Sequence, residues 1–116
     1  MKSAPLPPGI HIASIADLAE VCAEVRSVVV NGAETSLLIT RRGSAVAVFR
    51  NRCPHAGYPL QRADGRVLVQ GGRYAVCAAH GASFLLENGA CVGGPCNGEP
   101  LERVAVNIEN GVVLTA

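Results

Sequence analysis

The sequence predicts an all-β fold, an antiparallel sandwich or barrel, on three observations. Turn pairs such as Asn-Gly and Gly-Gly recur along the chain. They separate short segments rich in Val, Ala and Leu that resemble strands more than helices. The turns recur at intervals of roughly 8–12 residues, which is typical of antiparallel sandwiches and barrels.

The predicted strands are short, and one turn-like helical segment interrupts them at residues 15–19. Residues 24–30 alternate weakly and lead into Asn31-Gly32, a pair typical of a type I′ hairpin turn. Further turns are predicted at Arg41-Arg42-Gly43, Gly71-Gly72, Asn88-Gly89 and Asn110-Gly111. The strands between these signals cover residues 11–14, 24–30, 35–40, 44–50, 66–69, 73–76, 83–86, 90–92, 101–108 and 112–114.

Length and composition predict one small soluble domain. The chain has 116 residues, ten basic and nine acidic side chains, and no tryptophan. This near-neutral balance gives no electrostatic reason to expect nucleic acid as a partner. Residues 1–9 hold three prolines and no apolar stretch, so we expect neither a signal peptide nor a membrane anchor there. We therefore expect a single domain over residues 1–116, with a tail at 1–9, located in the cytoplasm.

Two segments pair a cysteine with a histidine: Cys53-Pro54-His55 and Cys77-Ala78-Ala79-His80. A glycine follows each pair within two residues. A [2Fe–2S] centre of mixed ligation takes two thiolates on one iron and two imidazoles on the other. The repeated Cys-then-His order lets each segment give one ligand to each iron. The pattern therefore predicts one [2Fe–2S] cluster per chain, held by Cys53, His55, Cys77 and His80.

Two other interpretations of these residues stay open on the sequence alone. Zinc takes Cys and His ligands, but zinc sites usually show Cys-x2-Cys or His-x3-His spacing, which this chain lacks. Free cysteines often serve as small buried apolar residues. That role explains neither the paired histidines nor the adjacent glycines. The iron–sulfur interpretation is therefore favoured, with zinc as the alternative metal.

Residues 51–57 (Asn-Arg-Cys-Pro-His-Ala-Gly) and 77–81 (Cys-Ala-Ala-His-Gly) resemble the two cluster loops of the Rieske ferredoxin family. A third segment, Gly93-Gly94-Pro95-Cys96, resembles the proline-bearing loop that covers the cluster in that family. The resemblance implies a Rieske-type antiparallel β-sandwich or barrel with an inserted cluster-binding subdomain at about residues 51–98. It also implies that both histidines present one ring edge at the surface.

The resemblance also bears on the other cysteines. In high-potential Rieske proteins an extra Cys in each cluster loop forms a disulfide, but the corresponding residues here are Tyr58 and Ala79. Cys91 and Cys96 are five residues apart and close enough in sequence to pair. We expect them to be two reduced thiols instead, because the cytosol is a reducing compartment.

Two positions near the second pair predict a low reduction potential. In high-potential Rieske proteins a Ser and a Tyr donate hydrogen bonds to the cluster sulfurs and stabilise the reduced state. The corresponding residues here are Ala82 and Phe84, which have no hydroxyl group. Ser83 is offset by one residue and would face the other way on a strand. We expect a potential towards the bottom of the roughly −150 to +300 mV Rieske range.

Neighbouring side chains have two possible roles each. Tyr58 and Leu60 either form an apolar rim around the exposed imidazoles or only pack the loops. Basic residues near the loops either steer an acidic partner or, as we expect, form a solvated face: Arg41, Arg42, Arg50, Arg52, Arg62 and Arg66.

The resemblance implies an electron carrier without catalysis of its own. It would pass single electrons from a flavoprotein reductase to a terminal oxygenase, as a monomer. A complete Rieske oxygenase needs a second iron held by two His and a carboxylate, and only His11 remains outside the cluster set. The alternatives are a small Rieske subunit of a reductase or oxygenase complex and a structural zinc module.

Overall fold

The computed structural model describes residues 5–54, 57–96 and 98–116, and these residues form strands and one turn of 3-10 helix at Ile15–Asp17. No helix among them is long and apolar enough to cross a membrane. The strands are β1 (His11–Ser14), β2 (Val21–Val30), β3 (Ala33–Arg42), β4 (Ala45–Arg50), β5 (Leu68–Gln70), β6 (Tyr74–Val76), β7 (Ser83–Leu85), β8 (Cys91–Gly93), β9 (Arg103–Val104), β10 (Val106–Glu109) and β11 (Val112–Thr115).

The strands form three antiparallel sheets, which confirms the predicted all-β fold class. The central sheet has the order β2-β3-β4-β9, and the other two have the orders β1-β11-β10 and β5-β6-β7-β8. The long β2–β3 hairpin turns at Asn31 and Gly32, whose φ angles are 50° and 80°. Both angles are positive, as the type I′ turn predicted from this Asn-Gly pair requires.

The central sheet is buried on both faces. In β3, Leu37 and Ile39 pack in one apolar cluster with β1 and β11, whereas Leu38 packs in a second cluster with β6 and β7. All three side chains are fully buried. Successive residues of a strand point to opposite faces, so a strand covered on both sides needs a continuous apolar run. This explains why residues 37–39 do not alternate with polar residues.

The β5–β8 sheet is a meander that carries the second Cys-His pair. Residues 77–82 join β6 directly to β7, and Asn88-Gly89 makes the turn between β7 and β8. A Cβ atom on Gly89 would lie 2.5 Å from the Phe49 ring of β4. Only glycine allows this approach, so the β7–β8 turn rests directly on the central sheet.

The boundaries of β2 and β3 differ from the prediction. β2 begins at Val21, three residues earlier than expected, and β3 continues through Arg42 instead of turning at residue 41. Arg41 stays in the strand because its guanidinium donates to the carbonyl oxygens of Ile15 and Leu18, at 3.4 and 3.0 Å.

The prediction of a single strand at residues 101–108 is wrong. This segment forms two strands in different sheets: β9 pairs with β4, whereas β10 pairs with β11. One straight strand cannot pair within both sheets, so the chain changes sheet at Ala105.

Candidate metal centre

The second Cys-His segment is a tight loop, called here the second loop (residues 77–82). The Cys77 N–H donates to the Ala82 carbonyl at 2.8 Å, and the Gly81 N–H donates to the Cys77 carbonyl at 2.9 Å. Gly81 has a φ of 74°, in the left-handed region that favours glycine. These bonds turn the chain back between β6 and β7 and place Cys77 at the base of the loop.

The first Cys-His segment, called here the first loop (residues 51–60), repeats this backbone arrangement. The Cys53 N–H donates to the Tyr58 carbonyl at 2.7 Å, and the Gly57 N–H donates to the Cys53 carbonyl at 2.8 Å. Gly57 has a φ of 76°. In both loops, therefore, a cysteine is followed by glycine four residues later and by a bonded carbonyl five residues later. The two Cys-His segments therefore adopt the same backbone arrangement around the cysteine.

The two thiols are buried and the described imidazole is exposed. Cys53 and Cys77 have 0% and 1% exposure and belong to one buried apolar cluster, and neither is in a disulfide. His80 lies at the surface. His55, the fourth predicted ligand, lies outside the described residues. The three described candidates thus run from the core to solvent.

Tyr58 and Leu60, for which the sequence left two roles open, behave differently. Tyr58 is 52% exposed, and its ring meets the His80 ring edge-on, with the centroids 5.5 Å apart. Leu60 is fully buried, and its carbonyl accepts a hydrogen bond from the Ala78 N–H at 3.1 Å. Leu60 therefore packs and joins the two loops, whereas Tyr58 forms part of the surface beside His80.

Asn51 fixes the first loop by a set of hydrogen bonds that sequence reasoning did not assign. Its side-chain oxygen accepts from the Leu60 N–H at 2.9 Å. Its amide nitrogen donates to the Ser36 hydroxyl at 3.0 Å and to the Gln61 side chain at 2.7 Å. The residue is 8% exposed. An Asn two residues before the first Cys was the available signal, but nothing in the sequence showed that it closes the loop.

The segment at residues 93–96, called here the covering loop, packs against the second loop. A Cβ atom on Gly94 would lie 2.7 Å from the Ala82 Cα and 2.9 Å from the Gly81 carbonyl oxygen. Gly94 has a φ of 80°. Both observations make glycine necessary, so the covering loop lies directly on the backbone that follows His80.

Cys91 and Cys96 are joined by a disulfide, which corrects the expectation of two reduced thiols. Their Cα atoms are 6.3 Å apart, within the usual range of roughly 4.4–6.8 Å for disulfides. β8 and the covering loop bring the two residues together around Gly93 and Gly94. The sequence spacing did not show whether the two cysteines meet, because their approach depends on the local fold of β8 and the covering loop.

The donor set fits a [2Fe–2S] cluster better than a mononuclear site. Two thiols stand at equivalent places of two like loops, each turned by a glycine of positive φ four residues after the cysteine. The described candidates supply two thiolates, from Cys53 and Cys77, and one imidazole, from His80. A two-iron cluster holds its thiolates on one iron and its imidazoles on the other, which suits thiols at the base of the loops and an imidazole at the surface.

The comparison with protein families decides the matter, because residues 11–109 match the Rieske [2Fe–2S] domain. The chain belongs to the Rieske [2Fe–2S] domain family. It accordingly binds a [2Fe–2S] cluster, and the zinc alternative is set aside. No curated protein shows significant sequence similarity to the chain.

Solved structures share this Rieske fold. The ferredoxin of carbazole 1,9a-dioxygenase from Nocardioides aromaticivorans IC177 is 22% identical, with 95% of this chain and 98% of that chain covered and a TM-score of 0.69. The Sphingomonas yanoikuyae B1 ferredoxin is 25% identical, with 92% and 96% covered and a TM-score of 0.68. The terminal oxygenase of carbazole 1,9a-dioxygenase from Novosphingobium sp. KA1 is 23% identical, with 92% and 30% covered and a TM-score of 0.68.

The surroundings of the second loop in this Rieske domain are apolar. Ala82 and Phe84, the two positions expected to lack hydroxyl donors, are both fully buried. Ser83 lies between them and is half-buried. Ala82 and Phe84 therefore belong to the same group of buried apolar side chains as Cys53 and Cys77, the two candidate thiolate ligands.

Several arginines near the loops are paired with carboxylates. Ion pairs join Arg42 to Glu87, Arg52 to Glu102 and Arg62 to Asp64. Exposed pairs of this kind contribute about 0–1 kcal/mol each, so they add little to stability. They do neutralise much of the basic density, which agrees with a solvated face more than with an anion-attracting patch.

Proposed function

We propose that this protein is a soluble Rieske-type ferredoxin that carries single electrons from a flavoprotein reductase to a terminal oxygenase. One observation carries the proposal: the site has buried thiols at its base and an exposed imidazole at its tip. Cys53 and Cys77 have 0% and 1% exposure, whereas His80 lies at the surface. Such a site is insulated on one side and open to a partner on the other.

We propose that Cys53, His55, Cys77 and His80 are the four cluster ligands. The bound cluster supplies reversible one-electron chemistry between ferric and ferrous iron. The chain buries the two thiolates in the apolar layer between the central sheet and the meander and so keeps water from them. The shared frame of the two loops supports equivalent roles for the two cysteines.

The surface around His80 is the proposed place of electron exchange. The His80 ring is exposed and contacts the exposed ring of Tyr58. Together the two rings form a small aromatic surface on the two loops that carry the buried thiols. A partner that docks there would approach the cluster more closely than from any side covered by the sheets.

The partner classes rest on the likeness to ferredoxins. The chain covers 98% and 96% of the two ferredoxins, but only 30% of the terminal oxygenase chain. One of these ferredoxins serves a carbazole dioxygenase. This agreement over nearly whole ferredoxins favours a carrier that is not itself an enzyme.

The remaining proposals concern organisation. We propose that residues 1–116 act as a single Rieske domain with its cluster-binding part at about 51–98, as a monomer in the cytoplasm. A continuous apolar core supports the single domain, because it joins β3 and β4 of the central sheet to β6 and β7 of the meander.

The second candidate is a small Rieske subunit of a reductase or oxygenase complex. The similarity to about a third of the oxygenase chain favours it, since there the Rieske fold works beside a larger body. Stable co-purification with a larger protein would support this subunit role. Elution as a monomer that binds its partners only transiently would support the carrier.

Ligation is tested by spectroscopy on the reduced protein. We expect two irons and two acid-labile sulfides per chain, and pulsed electron paramagnetic resonance with couplings from two imidazole nitrogens. The His80→Cys variant should keep a cluster but lose one nitrogen coupling and shift to a lower potential. Cys22→Ser, at the other side of the central sheet, serves as the control and should match the parent protein.

Transfer is tested by stopped-flow mixing of the reduced protein with a ring-hydroxylating oxygenase. We expect single-electron reoxidation that is first order in the oxygenase. A protein that holds zinc, or that lacks acid-labile sulfide after anaerobic reconstitution, would refute the cluster and the carrier role together. An intact cluster that exchanges no electrons with any reductase or oxygenase would refute the carrier role alone.

A further inference from the structure

We propose that Cys91 and Cys96 form a second redox site, a two-electron dithiol–disulfide pair that exchanges with small thiols and controls how firmly the covering loop is held. The proposal goes beyond electron carriage and does not depend on the identity of any partner. It rests on three observations: the pairing, the unequal burial of the two sulfurs, and the contact of the bridged segment with the second loop.

The pairing closes a short loop around two glycines. The Cα atoms of Cys91 and Cys96 are 6.3 Å apart, and the residues between them include Gly93 and Gly94. Cys91 is the first residue of β8, directly after the β7–β8 turn, whereas Cys96 lies outside regular secondary structure. The disulfide thus ties the covering loop to the meander.

The two cysteines differ in access. Cys96 is 2% exposed and packs in the same apolar core as Cys53 and Cys77. Cys91 is half-buried at the edge of that core. Thiol–disulfide exchange needs an in-line approach of a thiolate to one sulfur, so access decides which sulfur is attacked. The Cys91 sulfur is therefore the point of attack, and Cys96 is the leaving thiol.

The bridged segment presses on the second loop. Gly94 lies so close to Gly81 and Ala82 that a Cβ atom there would be 2.9 Å and 2.7 Å from their backbone atoms. Gly81 directly follows His80. Opening the disulfide therefore frees a segment whose packing holds the backbone next to a proposed cluster ligand.

The exchange balances with a small thiol as the reductant. One thiolate attacks the Cys91 sulfur, which forms a mixed disulfide and breaks the bond to Cys96, whose sulfur then takes up a proton. A second thiolate attacks the small-molecule sulfur of the mixed disulfide and releases Cys91 as a thiolate, which is also protonated. Two small thiols become one small disulfide, and the protein gains two electrons and two protons.

The site is tested on the cluster-loaded protein in anaerobic glutathione buffers of graded thiol-to-disulfide ratio. Native alkylation with a maleimide, followed by mass analysis, counts the accessible thiols. We expect Cys91 and Cys96 to become alkylated together, in one step that follows the glutathione ratio. The Cys22 thiol serves as internal control, because burial raises its pKa and its labelling should not follow the ratio.

Single-cysteine variants test the unequal roles of the two sulfurs. In Cys96→Ser the glutathione adduct should accumulate on Cys91, because no resolving thiol remains. In Cys91→Ser the adduct on Cys96 should form roughly tenfold more slowly, because that sulfur is buried. Equal rates at the two positions, or a pair that stays fully oxidised or fully reduced in every buffer, would overturn the proposal.

Cluster loss to an iron chelator tests the coupling to the second loop. The visible absorbance should bleach roughly tenfold faster in the dithiol form than in the disulfide form, because the covering loop then opens more often. The Cys91→Ser/Cys96→Ser double variant should bleach at the dithiol rate whatever the glutathione ratio. Equal bleaching of both forms of the parent protein would contradict the coupling.

Discussion

The first and second loops share one backbone frame but are held in place by different means. Each places a cysteine carbonyl against the N–H of a glycine four residues later. The first loop is closed by a side chain, because Asn51 at its start binds Leu60 and Gln61 at its end and also Ser36 of β3. The second loop is closed by its own hairpin and by the covering loop that lies on it.

The difference shows which elements of the two loops are interchangeable. The residue five positions after each cysteine is Tyr58 in the first loop and Ala82 in the second, and their exposures are 52% and 0%. The frame therefore fixes the cysteine and glycine and leaves this position free. In one loop it forms the outer surface beside His80, and in the other it forms the base under the covering loop.

The largest expected effect follows from replacing the cysteine of either loop and should be the same in both loops. Cys53→Ser and Cys77→Ser should each abolish stable cluster binding, because a neutral hydroxyl is a poor ligand for ferric iron. We expect iron and acid-labile sulfide close to zero in both variants, measured on protein purified anaerobically. Cys22→Ser is the matched control and should retain the cluster. A variant that keeps its full cluster would remove that cysteine from the ligand set.

The next effect is confined to the second loop. Gly94→Ala places a methyl group against the backbone of Gly81 and Ala82 and forces a left-handed conformation on alanine. Together these should cost about 3 kcal/mol. For a domain of this size, we expect the thermal midpoint to fall by roughly 15 °C at a fixed scan rate.

Gly93→Ala is the matched control for this prediction. A Cβ atom on Gly93 would meet nothing within 4 Å, and its φ is not in the left-handed region. We expect a change within about 0.5 kcal/mol. Equal losses in the two variants would show that the covering loop does not rest on the second loop.

A smaller effect is expected in the first loop alone. Asn51→Ala removes three side-chain hydrogen bonds and leaves the buried Leu60 N–H without that acceptor. We expect a loss of about 2 kcal/mol, measured as a lower thermal midpoint of the oxidised protein. Ser36→Ala removes only one of these bonds and should cost less than half as much. Faster cluster loss in Asn51→Ala than in Ser36→Ala would show that the loop itself loosens.

The smallest effect concerns the reduction potential and depends on the apolar surroundings of the second loop. Ala82→Ser with Phe84→Tyr introduces two hydroxyl donors at buried positions. A hydrogen bond to a charged group contributes about 1.5 kcal/mol, which for one electron corresponds to about 60 mV per bond. A redox titration should show a rise of this order, whereas Ser83→Ala should leave the midpoint unchanged. A midpoint of the parent protein in the upper half of the Rieske range would contradict the low-potential assignment.

The sequence predicted the fold class and most strands because local signals are strong in this chain. Asn31-Gly32 specified its turn through two positive φ angles, and β1 has the boundaries expected. The break at Ala105 was invisible, since the apolar pattern continues across it while the pairing partner changes. Tertiary contacts of Arg41 likewise extended β3 beyond its apparent end.

The sequence likewise predicted some features of the candidate site and not others. The Cys-His spacing led to the correct family, because few cofactors require that order of ligands. The pairing of Cys91 with Cys96 was considered but not expected, and the role of Asn51 was missed, because each depends on a contact that only the folded chain makes. The assignment of His55, Cys53, Cys77 and His80 as ligands stays a prediction.

The burial of Cys53 and Cys77 within the apolar layer has a consequence for biogenesis. The same layer packs Leu38 and Phe84, so the roots of both loops are part of the interior that the polypeptide must assemble. Metal-binding free energy is then folding free energy. We expect newly synthesised chains to mature only where iron and sulfide are supplied, and starved cells to degrade the rest, so that cellular abundance follows iron status.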